Sequence, residues 1–177
     1  MSGNKKVFEC RGVELSFYDE APQRLVYERV VPVTPARLFE VFEDPESWPV
    51  WGTGIIDVDW TSPKPYAAGT TRTVTFKGGM EIYEVFGEWE PGRRMAFHIN
   101  GATQKVWHAF GERYVVEDLN DGTCKLTWTV AYAPRYVFKA IHPVVRPMMK
   151  WWLGRLANNL VDYCKKLPAE SAVASAA

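Results

Sequence analysis

Two ionisable residues, His108 and Glu112, fall on the apolar face of a predicted strand. Alternate side chains of a strand point to the same face, and the apolar residues at alternate positions here are Val106, Phe110 and Tyr114. Residues four apart in a strand are separated by about 13 Å, so His108 and Glu112 cannot bond to each other. If both face a cavity, they could orient the polar end of a ligand or act as a general acid and base.

An alternative interpretation turns one of these two groups away from the cavity. Ala109 and Gly111 weaken the strand just after Trp107. A β-bulge at that point would shift the alternation and direct His108 or Glu112 towards solvent. The sequence leaves both interpretations open.

Arg72 is a third candidate, because it shares a strand face with Val74 and Phe76. An unpaired charge in an apolar pocket is costly, so an inward Arg72 would need an acidic counter-charge. We expect no metal site and no cofactor. The sequence has no paired histidine ligands, no clustered carboxylates, and no P-loop, nucleophile elbow or glycine-rich dinucleotide motif.

The elements that would position these residues are a series of strands followed by one long helix. A first strand begins at Arg24, and a Thr-Pro pair at 34–35 provides the N-cap and first turn of a short helix. A second short helix or helical turn carries Trp48 and Trp51. Further strands are expected at residues 55–60, 70–76, 80–89, 94–100, 105–119 and 123–133, with a hairpin turn at 120–122.

Residues 136–167 have a helical period. Pro143 and Pro147 each remove an intrahelical hydrogen bond, so we expect a kink there or a helix that begins only at Pro147. The last strand alternates apolar and polar residues, which is typical of an antiparallel sheet covered on one side. The order predicts an α+β fold, with a curved antiparallel sheet of about seven strands around the long C-terminal helix.

Composition narrows the classes of partner. Lysine and arginine balance aspartate and glutamate at 21 each, without a long run of like charge, so we expect no nucleic-acid partner. No segment has the pattern of a signal peptide or a transmembrane span, and three scattered cysteines are typical of a reducing compartment. We therefore expect a cytoplasmic protein. The aromatic content of 14% suits either a thick core or the walls of an apolar pocket.

We divide the chain into three parts. Residues 1–23 are expected to form an N-terminal arm or an extra edge strand, and residues 24–167 the ligand-binding domain. Residues 168–177 are small and aperiodic, and we expect a disordered tail there.

Three pieces of the sequence, in this order, resemble the polyketide cyclase/dehydrase-like branch of the START/Bet v 1-like (SRPBCC) superfamily. They are VPVTPARLFEVFEDPESWPVW, EWEPGRRMAF and DGTCKLTW, followed by the helix after AYAP. The resemblance covers residues 24–167 and implies a helix-grip fold, in which the bent sheet and the helix leave an apolar cavity between them. Such proteins bind lipids, sterols, polyketides or hormones, some as enzymes and others as carriers, so fold alone does not decide function.

The resemblance implies which residues would form the cavity wall. The last two strands would contribute Trp128, Val130, Tyr132, Val106, Phe110 and Tyr114, the other strands Met95, Phe97, Val74 and Phe76, the short helices Trp48 and Trp51, and the long helix Met148, Met149, Trp152 and Leu156. Neighbouring tryptophans cannot both face inward on a helix, so Trp151 is expected to face solvent or a partner. A second copy of the chain is one such partner, in a homodimer. The two prolines would place the first helical turns at the cavity mouth, where they could act as a gate.

Three functions are compatible with these features. The first is a carrier or sensor that binds a small hydrophobic ligand, such as a lipid, a polyketide or another aromatic or isoprenoid-like compound, without chemistry. The second is a cofactor-independent cyclase, dehydratase or isomerase that uses His108 and Glu112. The third is a protein-interaction or co-chaperone module that acts through the outer face or Trp151.

Overall fold

The computed structural model describes residues 5–168, except for the side chains of residues 136–138. The elements in chain order are β1 (Phe8–Glu9), α1 (Phe17–Glu20), β2 (Gln23–Val31), α2 (Pro35–Glu43), α3 (Trp48–Trp51), β3 (Ile55–Trp60), β4 (Thr71–Phe76), β5 (Glu81–Glu90), β6 (Arg94–Ala102), β7 (Trp107–Asp118), β8 (Cys124–Pro134) and α4 (Tyr136–Cys164). Apart from Pro168, the expected tail at 168–177 lies outside the described residues.

The strands form one antiparallel sheet in the order β2-β8-β7-β6-β5-β4-β3, and the short β1 pairs with β6. From β3 to β8 each strand pairs with the next along the chain. The pairings of β1 with β6 and of β2 with β8 join strands that are far apart in the chain. The predicted α+β class, with about seven strands and a long C-terminal helix, is confirmed.

The two short helices form because the local sequence provides their start and stop signals. The Thr34 side chain accepts a hydrogen bond from the Arg37 backbone N–H, and Pro35 occupies the first turn of α2. Gly52 ends α3, where a Cβ atom would lie 2.6 Å from the Trp48 carbonyl oxygen. The turn thus requires glycine, and it holds Trp48 and Trp51 against the sheet.

The long helix α4 runs without a break from Tyr136 to Cys164. Of the two expected outcomes, a helix that begins only at Pro147 is wrong. Pro143 and Pro147 lie on an exposed part of the helix, so the carbonyl groups that lose their partners can bond to water. No helix among residues 5–168 combines the length and the apolar character needed to cross a bilayer.

The N-terminal segment covers the convex face of the sheet. Within residues 5–23, β1 pairs with Gly101 and Ala102 at the end of β6, and α1 places Tyr18 against the strands. The Tyr18 hydroxyl donates to the Phe97 carbonyl at 3.0 Å, and a Cβ atom on Gly111 would lie 2.9 Å from the Tyr18 ring. The segment thus leaves the concave face of the sheet to α4.

Candidate functional site

An apolar cavity of about 280 Å³ lies between α4 and the concave face of the sheet. An aromatic cluster bounds it near α2 and α3. In this cluster the Tyr114 ring lies 5.2 Å from that of Phe42 and 5.6 Å from that of Trp128, between centroids. Beyond the cluster, the side chains of α4 and of β4–β6 do not fill the space between the two layers.

Most of the predicted wall residues do line this cavity. They are Trp48, Trp51, Val74, Phe76, Phe97, Phe110, Tyr114, Trp128, Met149, Trp152 and Leu156. They come from α3, from the four strands β4, β6, β7 and β8, and from one stripe of α4. These residues meet because each lies on the inward face of its helix or strand.

Five predicted wall residues lie elsewhere. Met95 and Val130 are completely buried in the solid part of the core and do not border the cavity. Val106, Tyr132 and Met148 border a second, outer space, and Met148 is 64% exposed. The prediction that these five residues line the cavity is wrong. The periodicity of a strand or helix tells which face a residue lies on, but not how far along the cavity it lies.

The outer compartment measures about 420 Å³ and lies beside the first half of α4. Its polar pair is Tyr132 and His142, whose hydroxyl oxygen and Nε2 are 2.9 Å apart. Trp107, Met149 and Trp152 line both spaces, so these three side chains form the wall between them.

A β-bulge decides which ionisable residues face the cavity. In the pairing of β7 with β8, Trp107 is opposite Pro134 but Ala109 is opposite Ala133, so His108 is an extra residue. His108 is consequently exposed, whereas Trp107 borders the cavity. The interpretation with both His108 and Glu112 inside is wrong for His108.

Glu112 lines the cavity and is partly buried. Its Oε2 accepts hydrogen bonds from the Tyr114 hydroxyl at 2.6 Å and from the Trp128 indole N–H at 3.0 Å. Removal from bulk water raises the pKa of Glu112 to about 7, although these two hydrogen bonds oppose the change. The carboxyl group can therefore donate or accept a proton near neutral pH.

This pKa predicts a specific pH dependence of stability. The unfolded carboxyl titrates near 4.5 and the folded one near 7, so the folded state holds a proton that the unfolded state releases between these values. The contribution of Glu112 to the free energy of unfolding is thus full below about pH 4.5 and falls, by about 1–3 kcal/mol, as the pH rises through about 7.

Urea unfolding at about pH 5 and about pH 8 measures this loss, which Glu112→Gln should reduce. Glu117→Gln, at an exposed position of the same strand, is the matched control and should leave the loss unchanged. An equal loss in the wild type and in Glu112→Gln would contradict the raised pKa.

Arg72 forms the floor of the cavity together with Glu84, a residue on the neighbouring strand. The Arg72 Nε donates to Glu84 Oε2 at 2.5 Å, and both side chains are almost fully buried. The guanidinium lies 4.1 Å from the ring centroid of Trp48 and 4.9 Å from that of Phe97. Burial raises the pKa of Glu84, while the charge of Arg72 and its hydrogen bond oppose the change.

Several residues of the wall were not singled out from the sequence: Gly52, Ile55, Met80, Ile82, Glu84, Ile99, Trp107 and Leu153. The signal for Glu84 was its alternation with Ile82 and Phe86, which are both inward. Trp107 gave no such signal, because only the bulge turns it inward.

The arrangement can hold one compact apolar molecule with a polar end. Both hydrogen bonds to Glu112 go to Oε2, and no residue of 5–168 donates to its Oε1. That oxygen is the group best placed to bond to a hydroxyl or carbonyl oxygen of a guest, since a carboxyl with a pKa near neutrality can act as donor or acceptor.

Comparison with known proteins gives a family match over most of the chain. The family described as "polyketide cyclase / dehydrase and lipid transport" matches residues 22–166. An uncharacterized protein of Mycobacterium tuberculosis is 41% identical over 157 residues, which cover 89% of this chain and 93% of that protein. An uncharacterized protein of Mycobacterium bovis matches to the same extent.

Solved structures share the fold at low sequence identity. A START superfamily protein from Mycobacterium smegmatis has a TM-score of 0.65 at 12% identity, over 82% of this chain and 99% of that one. The ZhuI aromatase/cyclase from Streptomyces sp. R1128 has a TM-score of 0.64 at 11% identity, over 81% and 94%. A protein from Thermus thermophilus reaches 0.65 at 14% identity, over 81% and 97%.

Proposed function

Since the chain belongs to the polyketide cyclase/dehydrase and lipid transport family, we propose that it binds one small hydrophobic ligand in the inner cavity, as a carrier or sensor. The ligand is a lipid, a polyketide or another aromatic or isoprenoid-like compound. The observation that carries this proposal is the cavity of about 280 Å³, whose wall is apolar except for Arg72, Glu84 and Glu112.

The free-energy cost of an empty cavity supports a binding function. An empty core void costs roughly 24 cal/mol per Å³, so one of this size would cost several kcal/mol out of a typical domain stability of about 5–15 kcal/mol. A guest removes that cost. Burying a few hundred Å² of apolar ligand surface, at roughly 25 cal/mol per Å², contributes a further 5–10 kcal/mol or so against the cost of association.

The size of the cavity favours a compact ligand. Ligand pockets span roughly 300–1,000 Å³, and the inner cavity of about 280 Å³ is just below this range. We propose that the apolar body of the ligand lies against Val74, Ile82 and Ile99, and that its oxygen-bearing end bonds to Glu112.

Native mass spectrometry of protein purified from cells without added ligand tests the proposal. We expect a species heavier than the chain alone by the mass of one small molecule, which disappears on denaturation and is recovered by organic extraction. Only the unliganded mass, together with no binding of fatty acids or polycyclic aromatics by the purified protein, would contradict it.

A second function, cyclase or dehydratase-type catalysis, is favoured by the pKa of Glu112. A carboxyl group with a pKa near 7 in a largely apolar cavity suits general acid–base catalysis. His108 lies outside the cavity, so Glu112 would act with a group of the substrate or with Tyr114. Glu112→Gln separates the two functions: a carrier keeps its bound molecule, whereas an enzyme loses turnover of that molecule and keeps its fold.

We further propose a cytoplasmic location. Cys10, Cys124 and Cys164 are free thiols, and burial raises the pKa of each. Free thiols without a disulfide among the described residues support a reducing compartment.

A further inference from the structure

The outer compartment lies between the sheet and the first half of α4. Trp107 of β7 and Tyr132 and Pro134 of β8 border it on one side, and residues of α4 border it on the other. Its volume of about 420 Å³ exceeds that of the inner cavity and falls within the roughly 300–1,000 Å³ of small-molecule pockets. The compartment therefore has the size of a ligand site of its own.

Aromatic side chains form much of the wall of this compartment. Five of its ten lining residues are aromatic: Trp107, Tyr132, His142, Trp151 and Trp152. Two others are Met148 and Met149, whose thioether groups make favourable contacts with ring edges. Aromatic rings prefer other rings in offset-stacked or edge-to-face arrangements. This wall therefore favours a planar aromatic guest over a flexible aliphatic chain.

One polar pair interrupts the apolar wall. Tyr132 is only 2% exposed, and its hydroxyl oxygen lies 2.9 Å from His142 Nε2. Burial raises the pKa of Tyr132, so the hydroxyl stays protonated at neutral pH. A hydroxyl has one donor and two acceptor positions, and no other residue that the structure describes bonds to this one. Whichever tautomer His142 adopts, the Tyr132 hydroxyl keeps the capacity for a hydrogen bond to a guest.

From these features we infer that the outer compartment is a second ligand site, for a planar aromatic molecule that carries a hydroxyl group. The rings of the guest pack against the indoles of Trp107 and Trp152, and its hydroxyl bonds to that of Tyr132. A hydroxyl group suits this position because it both donates and accepts, so it matches either tautomer of His142.

The two compartments suit two separate molecules. Trp107, Met149 and Trp152 form the wall between them. Glu112 lines only the inner cavity and Tyr132 only the outer compartment, so a guest in either space finds a polar partner without passing this wall. The second site thus goes beyond the proposed function, since it needs no guest in the inner cavity.

Nuclear Overhauser spectroscopy of the full chain with β-naphthol locates the bound molecule without any substitution. Val145 borders only the outer compartment and Val74 only the inner cavity, so their methyl groups report on the two spaces separately. We expect cross-peaks between naphthol protons and the Val145 methyl groups, whether or not the Val74 methyl groups also show them. Cross-peaks to Val74 alone, or to neither valine, would overturn the inference.

Calorimetric titration of variants measures the contribution of the space itself. Each variant is combined with Ile82→Trp, which places an indole in the inner cavity, so that only the outer site remains. Val145→Trp puts a large ring into the outer compartment and should weaken naphthol binding at least tenfold. Val144→Trp makes the same change at a neighbouring position that is 78% exposed, and it should leave naphthol binding unchanged.

The hydroxyl is tested with a pair of ligands in the same background. Tyr132→Phe should weaken binding of β-naphthol about fivefold, and it should leave binding of naphthalene, which lacks the hydroxyl, unchanged. Tyr83→Phe is the matched control, because it removes a hydroxyl that bonds to Glu81 away from both compartments. Circular dichroism verifies the fold of every variant.

Equal affinities in Val145→Trp and Val144→Trp would overturn the inference, as would equal effects of Tyr132→Phe on naphthol and naphthalene. A dimer in analytical ultracentrifugation that Val145→Trp converts to a monomer would assign the compartment to a side chain of a second copy instead. Val145→Trp by itself leaves the residues of the inner cavity unchanged, so a guest that co-purifies there should be retained. The second site and the proposed function therefore fail separately.

Discussion

Glu84→Gln is expected to lower the free energy of unfolding by about 3–5 kcal/mol, because it removes the carboxylate that is bonded to the buried guanidinium of Arg72. The Nε of Arg72 bonds to Glu84, and its buried Nη1 has no acceptor among residues 5–168. The aromatic rings around the guanidinium attract it, but cation–π contacts contribute only about 0.5–2 kcal/mol and do not replace a carboxylate.

Urea unfolding of three variants measures this effect. Glu90→Gln is the matched control, since Glu90 pairs with Arg94 at the surface with side chains 40% and 49% exposed, and its loss should stay below about 1 kcal/mol. Arg72→Met/Glu84→Leu removes both charges and should recover most of the stability lost in Glu84→Gln. Equal losses in Glu84→Gln and Glu90→Gln would show that water reaches the buried pair.

Ile82→Trp is expected to weaken ligand binding more than tenfold while the fold survives. Ile82 is nearly buried and borders the inner cavity opposite α4, so an indole at this position would occupy the space of the guest. In a solid core such an enlargement costs about 1–3 kcal/mol. Here the ring enters an existing void, so the free energy of unfolding should change by less than about 1 kcal/mol.

Fluorescence titration with anilinonaphthalene sulfonate measures the loss of binding, and urea unfolding measures the change in the free energy of unfolding. Ile56→Trp makes the same substitution at a position that is 56% exposed on β3, and it should bind the dye as the wild type does. Unchanged dye binding in Ile82→Trp would place the dye elsewhere. A large loss of stability would mean that the interior has no room for a guest.

The order and type of the elements could be predicted because each has a local signal. The Thr-Pro pair at 34–35 starts α2, and alternation marks the inward faces of β4 to β8. Inward residues such as Phe97 and Trp128 followed from alternation alone. The direction of Glu112 did not, because it depended on where the bulge in β7 lies.

The level of a residue along the cavity could not be predicted, because it depends on how far the sheet bends away from α4. Met95 and Phe97 share a face of β6, yet only Phe97 reaches the cavity. The continuity of α4 through Pro143 also depends on context, since exposure lets water replace the lost hydrogen bond.

The extra residue in β7 makes the chemistry of the pocket sensitive to chain length at a single position. Without the bulge, regular alternation towards Phe110 would place an imidazole on the wall where an indole now separates the two compartments. Deletion of Trp107 would therefore remove the bulge and exchange an apolar partition for an imidazole, without altering a residue from Phe110 onward. Relatives of this protein that differ in length at this strand should differ in the polarity of the guest they accept.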